Sequence, residues 1–363
     1  MTIGRPDRAI AYLLAATAVV PEDSELQQAL RTARVAAGEA AKTRNSGERF
    51  LLIKAWGYGF WSDVDHVLGQ LLLADMTGRI PVVHWGSNSR FSELASADAF
   101  GLYFRPVSSY TIDDLPSRSS TYYPPKWSAS NLRAENVQKF DGLGSRLSGL
   151  YFLNRPEQVV VSDFHTPILN LIPWLTEDCM YFGMSVDDIY RHLLLNRLTL
   201  NARISELVED YWRARMAGGE WIAVHARGSD KALEMNLPRI DQEYFPKVDA
   251  LLEEHSNLRI FLLTDSEPYL RQFAQRYGGR LTYTPATRTS TNEGVHYGKH
   301  PPRRVAEEVI LDTYVAARCE FFVGNARSNV SAMIGYLKRW APGRYFSFSG
   351  NCLTTRDLYL HEW

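Results

Sequence analysis

An apolar run from Arg49 to Lys54 predicts a buried strand. It leads through the glycine turn Gly57-Tyr58-Gly59 into a segment where Val64, Val67, Leu68, Leu71 and Leu72 recur at helical spacing, which predicts a helix over Asp63–Met76. Gly78 stops that helix, and Ile80–His84 reads as the next strand. Strand, helix and strand in this order imply a parallel pair with a right-handed crossover. Residues 86–156 carry little periodicity and much Ser, Tyr and Pro, which marks a binding surface or an irregular connection. Helical patterns return at Val186–Leu198 and Asn201–Met216, placed to bridge two lobes. The second half alternates cleanly. Trp221–His225, Arg259–Thr264, Leu281–Thr284, Glu320–Val323 and Tyr345–Phe348 read as strands. Gln242–His255, Glu267–Tyr277, Arg304–Arg318 and Ser328–Leu337 read as the helices between them. Repeated β-α-β-α is the pattern of a doubly wound sheet, so the expectation is an α/β protein of two Rossmann-like lobes with a ligand cleft between them.

Ahead of this, residues 1–46 read as a helical hairpin about the turn Pro21-Glu22-Asp23-Ser24, its second helix running from Glu25 to Ala41. Packing is the preferred role, with docking or dimerisation the alternative. The expected division is a hairpin at 1–46, an acceptor-side lobe at 47–199 and a donor-binding lobe at 200–363.

Charge narrows the function classes. Forty basic and 41 acidic residues nearly cancel, so nothing pulls the chain as a whole toward nucleic acid or anionic lipid. The cysteines Cys179, Cys319 and Cys352 are far apart and form no C-x-x-C pair, which excludes a zinc knuckle and reads as free thiols in a reducing compartment. Ala9–Val20 is apolar but about half the length of a membrane span, and reads as a helix rather than a signal peptide. The expectation is a soluble, cytoplasmic protein, peripheral to a membrane at most.

Chemistry gathers at strand ends. The segment His225-Ala226-Arg227-Gly228-Ser229-Asp230-Lys231 leaves the strand Trp221–His225 with an imidazole, two cations and a carboxylate. The planar donor fork of Arg227 suits a diphosphate, and a surface salt-bridge cluster is the competing reading. Gly324-Asn325-Ala326-Arg327-Ser328-Asn329 follows the apolar Phe321-Phe322-Val323 as a turn opening a helix. That is either an anion site, with Ser328 and Asn329 adding donors, or an ordinary cap. Asp265 ends another strand at the same edge. Asp312, after Val309, Ile310 and Leu311, either faces a guanine or is a solvated helix residue. Asp63 and Asp65 form a D-x-D, but one that opens a helix, where Asp is favoured without a metal. Gly57-Tyr58-Gly59 lacks the third glycine of a dinucleotide fingerprint, and there is no Walker A lysine and no G-x-S-x-G elbow. Tyr122, Tyr123 and Trp127 offer rings on which sugars or bases can stack.

On these residues the chain resembles the α-1,6-fucosyltransferases and the wider O-fucosyltransferase group, patchily from Arg49 to Leu337. Gly57-Tyr58-Gly59 with Asp65-His66-Val67 and Thr77-Gly78-Arg79 is similar to the family's first turn and helix. His225-x-Arg227-x-x-Asp230-Lys231 is the most specific match, joined by Thr264-Asp265, by Gly294-Val295-His296 with Val309-Ile310-Leu311-Asp312, and by Phe322–Asn329. The resemblance implies a GT-B fold, GDP-fucose as donor, no metal or other cofactor, and inversion at the anomeric carbon. It implies that Arg227, Ser328 and Asn329 hold the diphosphate, that His225 and Asp312 contact the guanosine, and that Lys231 and Asp265 lie near the donor sugar or diphosphate. Gly57, Tyr58 and Gly59 join this donor-binding set. The family's animal member has a glutamate four residues after the lysine; here Met235 stands there and Glu234 precedes it. That leaves Glu234, Asp230, Asp63 and Asp65 as candidate bases. The implied partners are a nucleotide-sugar donor and a glycan acceptor met by residues 86–156. Transfer from another nucleotide sugar, transfer to a protein hydroxyl and a non-catalytic GDP-binding module are the alternatives.

Overall fold

The structure is a computed structural model that describes residues 48–348 except 94–97, 119–120, 140–142, 229–236, 292–293, 296–297 and 299, together with scattered positions from 13 to 33. Among the latter, the Asp23 carboxylate accepts from the backbone N–H groups of Glu25 (2.9 Å) and Leu26 (3.1 Å), a helix cap at the expected turn. The rest of the expected hairpin lies outside the described residues.

Two parallel sheets organise the chain. The first runs β2-β1-β4-β3, built from β1 (Phe50–Lys54), β2 (Ile80–His84), β3 (Tyr122–Tyr123) and β4 (Val159–Ser162). The second runs β7-β6-β5-β8-β9, built from β5 (Glu220–His225), β6 (Leu258–Leu263), β7 (Leu281–Thr282), β8 (Phe321–Asn325) and β9 (Tyr345–Phe348). In register, Leu52 faces Val82 and Val161, while Ala223 faces Phe261 and Phe322. Helices cover the sheets, which is why β1 and β8 are buried at every position and read as unbroken apolar runs.

Helix α1 (Phe60–Thr77) starts three residues earlier than its periodicity suggests. Gly59 stands at its N-cap, and the Asp63 carboxylate reaches back to accept from Gly57 N (2.8 Å) and Tyr58 N (3.3 Å). Gly78 ends it in the left-handed conformation, φ 62°, as the sequence predicts. A side chain at Gly69 would put its Cβ 1.8 Å from the Thr166 carbonyl oxygen, so α1 lies directly against the chain beyond β4.

Two expectations fail here. Sequence reading passes over β4, a four-residue strand that nonetheless separates β1 from β3. Nor do Tyr122, Tyr123 and Trp127 form a stacking platform. The tyrosines pair with Val159 and Val160 as β3, and Trp127 is buried under the first sheet.

The helices α2 (Val186–Asn196) and α3 (Ala202–Arg215) do bridge the halves. Further along come α4 (Phe245–Glu254), α5 (Glu267–Tyr277), α6 (Pro302–Arg318) and α7 (Asn329–Leu337). α2 packs on both α1 and α7, and α3 packs on α6. Tyr190 of α2 stacks on Tyr336 of α7 with ring centroids 4.1 Å apart, and Trp61 Nε1 of α1 donates to Thr313 Oγ1 of α6 (2.8 Å). One apolar core thereby runs from Leu51 and Val67 through Tyr190 to Ile310 and Met333. Among the described residues, no helix is long and apolar enough to cross a membrane. Cys319 is buried and Cys179 half-buried, both as free thiols; Cys352 lies outside the described residues.

Candidate active site

In the second sheet the chain winds from β5 to β6 and β7 on one side, then to β8 and β9 on the other. The strand order therefore reverses between β5 and β8, the place where a parallel sheet opens a crevice beyond its strand ends. A cavity of about 460 Å³ lies there. The second half contributes His225, Arg227, Asp265, Asp312, Ser328 and Asn329 to its walls, and the first half contributes Trp56, Tyr58, Gly59, Phe60 and Trp61.

β5 ends in His225, whose Nδ1 lies 2.8 Å from Ser331 Oγ. That oxygen also accepts from Asn325 N (3.2 Å), so Ser331 ties the end of β5 to the end of β8. Burial, then the charge of Arg227, lowers the His225 pKa to about 3. The ring is neutral at physiological pH: a hydrogen-bonding group, not a proton reservoir.

Two residues on, Arg227 Nη1 lies 2.9 Å from Asp265 Oδ2, and Asp265 Oδ1 accepts from Gly228 N (2.9 Å). A Cβ at Gly228 would stand 2.7 Å from that of Ser266, so the close approach that lets Asp265 hold both groups needs a glycine. Asp265 thus orients Arg227 across the end of β6.

β8 turns into α7 through Asn325, whose side-chain oxygen accepts from Arg327 N (3.0 Å) and whose carbonyl accepts from Ser328 N (3.1 Å). Ser328 is the N-cap, yet its hydroxyl makes no capping bond. First-turn N–H groups of a helix have no partner within the helix, so α7 presents donors and a partial positive charge to the cavity.

Asp312 sits on α6 with only 8% of its surface exposed, which overturns the solvated-helix alternative. Burial raises its pKa to about 7 against the opposing bond from Thr284 Oγ1, which donates to Oδ1 at 2.6 Å. One turn earlier, Glu308 accepts from Thr287 N (2.8 Å) and from Arg304 Nε (2.7 Å).

On the facing wall Trp56 meets Tyr58 at a tilt of 39° (4.2 Å between centroids) and stacks on His165 (4.5 Å). Neither aspartate of the D-x-D reaches the cavity. Asp63 is fully buried holding the Gly57 turn, and burial lifts its pKa to about 7. Asp65 accepts from Tyr190 Oη (2.7 Å) and lies 2.7 Å from His165 Nε2. Both are poorly placed as bases because folding already uses them. Among the described residues, no group of three or more His, Cys, Asp or Glu side chains could share a metal ion.

Of the residues expected from sequence, His225, Arg227, Asp265, Asp312, Ser328, Asn329, Tyr58 and Gly59 meet in this cavity. Gly57 does not line it; it shapes the turn, with φ 97° and a would-be Cβ 2.9 Å from Asn88 O. Asp230, Lys231 and Glu234 lie outside the described residues. Sequence reading missed Trp56, Thr287, Glu308 and Arg327 in the walls and Ser331 and Thr284 behind them. Only Arg327 carried a signal, its position inside the turn before α7.

No family model matches the chain, and no curated protein matches it. Solved structures do. The chain is similar to the NodZ α-1,6-fucosyltransferase co-crystallised with GDP, with a TM-score of 0.60 and 18% identity over 85% of this chain and 97% of that one. For the fucosyltransferase NodZ from Bradyrhizobium the values are 0.59 and 18%, over 84% and 97%. For POFUT1 in complex with GDP they are 0.52 and 13%, over 84% and 100%. The two-lobed α/β fold expected from the sequence is the fold these proteins share with this chain.

Proposed function

We propose that the protein is an inverting, metal-independent glycosyltransferase that moves fucose from GDP-fucose to a hydroxyl of a glycan. The single observation that carries this reading is the convergence of Arg227, the mouth of α7 and Asp312 on one cavity at the switch point of the second sheet. Their chemistry matches the two ends of a guanosine diphosphate. Asp312, ionised, accepts from guanine N1–H and N2–H, while Arg227 and the α7 N–H groups meet the diphosphate. That fucosyltransferases of the same fold were crystallised with GDP supports the choice of base.

In the proposed reaction the acceptor oxygen bonds to the anomeric carbon from the face opposite the diphosphate. The bond from that carbon to the β-phosphate oxygen breaks, its electron pair leaves on GDP, and the acceptor proton passes to a carboxylate or to water. Fixed cations and helix N–H groups stabilise the charge that develops on the leaving group, the task a divalent ion performs in metal-dependent transferases. The aromatic wall of Trp56, Tyr58 and Trp61 faces the donor across the cavity and suits the apolar face of a sugar. Asp230 or Glu234 is the proposed base, residues 86–156 the proposed acceptor surface, and the cytoplasm the proposed compartment.

Calorimetric titration with GDP, UDP and dTDP tests the donor assignment. GDP should bind at least tenfold more tightly than the other two; equal affinities would overturn the guanine assignment. Incubation with GDP-fucose, with EDTA present, should release GDP by transfer or hydrolysis. Tight GDP binding without release would instead favour a binding module.

A further inference from the structure

We infer that Arg327 supplies the uncompensated positive charge that holds the diphosphate, beside an Arg227 already neutralised within the protein. The inference rests on the donor reading above and concerns which cation the nucleotide's charge meets. Arg227 lies 2.9 Å from the Asp265 carboxylate. An approaching anion therefore meets an ion pair, whose attraction falls off faster than that of a single charge, and whose carboxylate repels it. The mouth of α7 adds about half an elementary charge. Neither balances a leaving diphosphate that gains a full negative charge as the sugar departs.

Arg327 also lines the cavity, immediately before the cap of α7. Asn325 Oδ1 fixes its backbone N–H at 3.0 Å, so the position of its Cα is set by the turn. Its guanidinium pairs with no carboxylate among the described residues. The location is unfavourable for the empty protein, because a cation at a helix N-terminus opposes the helix dipole. Arg327 is exposed, so water solvates its guanidinium in the empty protein. A diphosphate bound at the mouth of α7 would satisfy the guanidinium and the helix N–H groups together.

The test is calorimetric titration of wild type, Arg327→Met and Arg327→Lys with GDP and with guanosine. Arg327→Met should weaken GDP about 10- to 100-fold and leave guanosine within about twofold, as loss of a charge-assisted contact to phosphate predicts. Arg327→Lys should fall between, keeping the charge and losing the fork. The thermal midpoint of Arg327→Met without nucleotide should match or exceed wild type. Undiminished GDP affinity in Arg327→Met, or an equal loss for GDP and guanosine, would overturn the inference. Failure of the wild-type protein to prefer GDP over UDP is a different result, and it sinks the donor reading itself.

Discussion

Removing the Arg227 guanidinium takes a cation away from the Asp265 carboxylate, which lines the same cavity. Arg227→Ala should therefore cost more than a lost contact, with GDP affinity and transfer rate down about 100-fold or more. Adding Asp265→Asn should recover roughly tenfold of the affinity, a non-additivity that a double-mutant cycle reads directly. Asp312 makes a second prediction, on pH. With its pKa raised to about 7, the carboxyl is largely neutral below that value and cannot accept both guanine N–H groups. Guanosine affinity should rise as pH increases from 5.5 to 8, by up to tenfold per unit below about 7, and level off above. Titration of Asp312→Asn over the same range should give a flat, weaker profile. His225 should add no inflection, since burial keeps it neutral down to a pKa of about 3.

Helix α1 carries the contact most sensitive to a single methyl group. In Gly69→Ala the new Cβ would meet the Thr166 carbonyl at 1.8 Å, and backbone on both sides leaves little room to yield. The expected loss is about 3 kcal/mol or more, read as a lowered denaturant midpoint. No pattern in the sequence marks Gly69 for this role, because its partner lies about a hundred residues away. The same reason governs what sequence could and could not reveal elsewhere. β1, α1 and β2 were legible because burial on both faces makes a parallel strand an unbroken apolar run and Gly78 ends the helix by its own backbone preference. β4 was not, since four residues carry too little pattern to stand out from an irregular stretch. In the site, strand-end residues such as Arg227 and Asp265 were readable from topology alone. Asp312 was ambiguous because α6 is buried on several sides, Asp312 and Thr313 included, so periodicity could not assign a face. Ser331 and Thr284 act only by reaching a residue that another element supplies.

At the scale of the molecule, α6 and α7 tie two apolar cores together: Ile310 and Met333 join the core over the first sheet, while Leu311, Val315 and Ile334 join a core over the second. The protein should therefore unfold in a single cooperative transition, with near-UV and far-UV circular dichroism giving the same midpoint; two separated transitions would contradict this coupling through shared helices. Trp61 and Thr313 fasten the halves beside the cavity itself, and Trp61→Phe should lower both the midpoint and GDP affinity by a few-fold. The stack of Tyr190 on Tyr336 has a consequence for anyone wishing to exchange one half of the chain. Replacing the amino-terminal half looks like a modular exchange, but α2 packs on α7 of the other half as well as on α1. A graft joined after α2 would strip α7 of its covering ring, and the anchorage of the helix that opens onto the cavity would go with it. Chimeras that keep residues 186–196 with the carboxy-terminal half are the ones expected to retain the cavity at the mouth of α7.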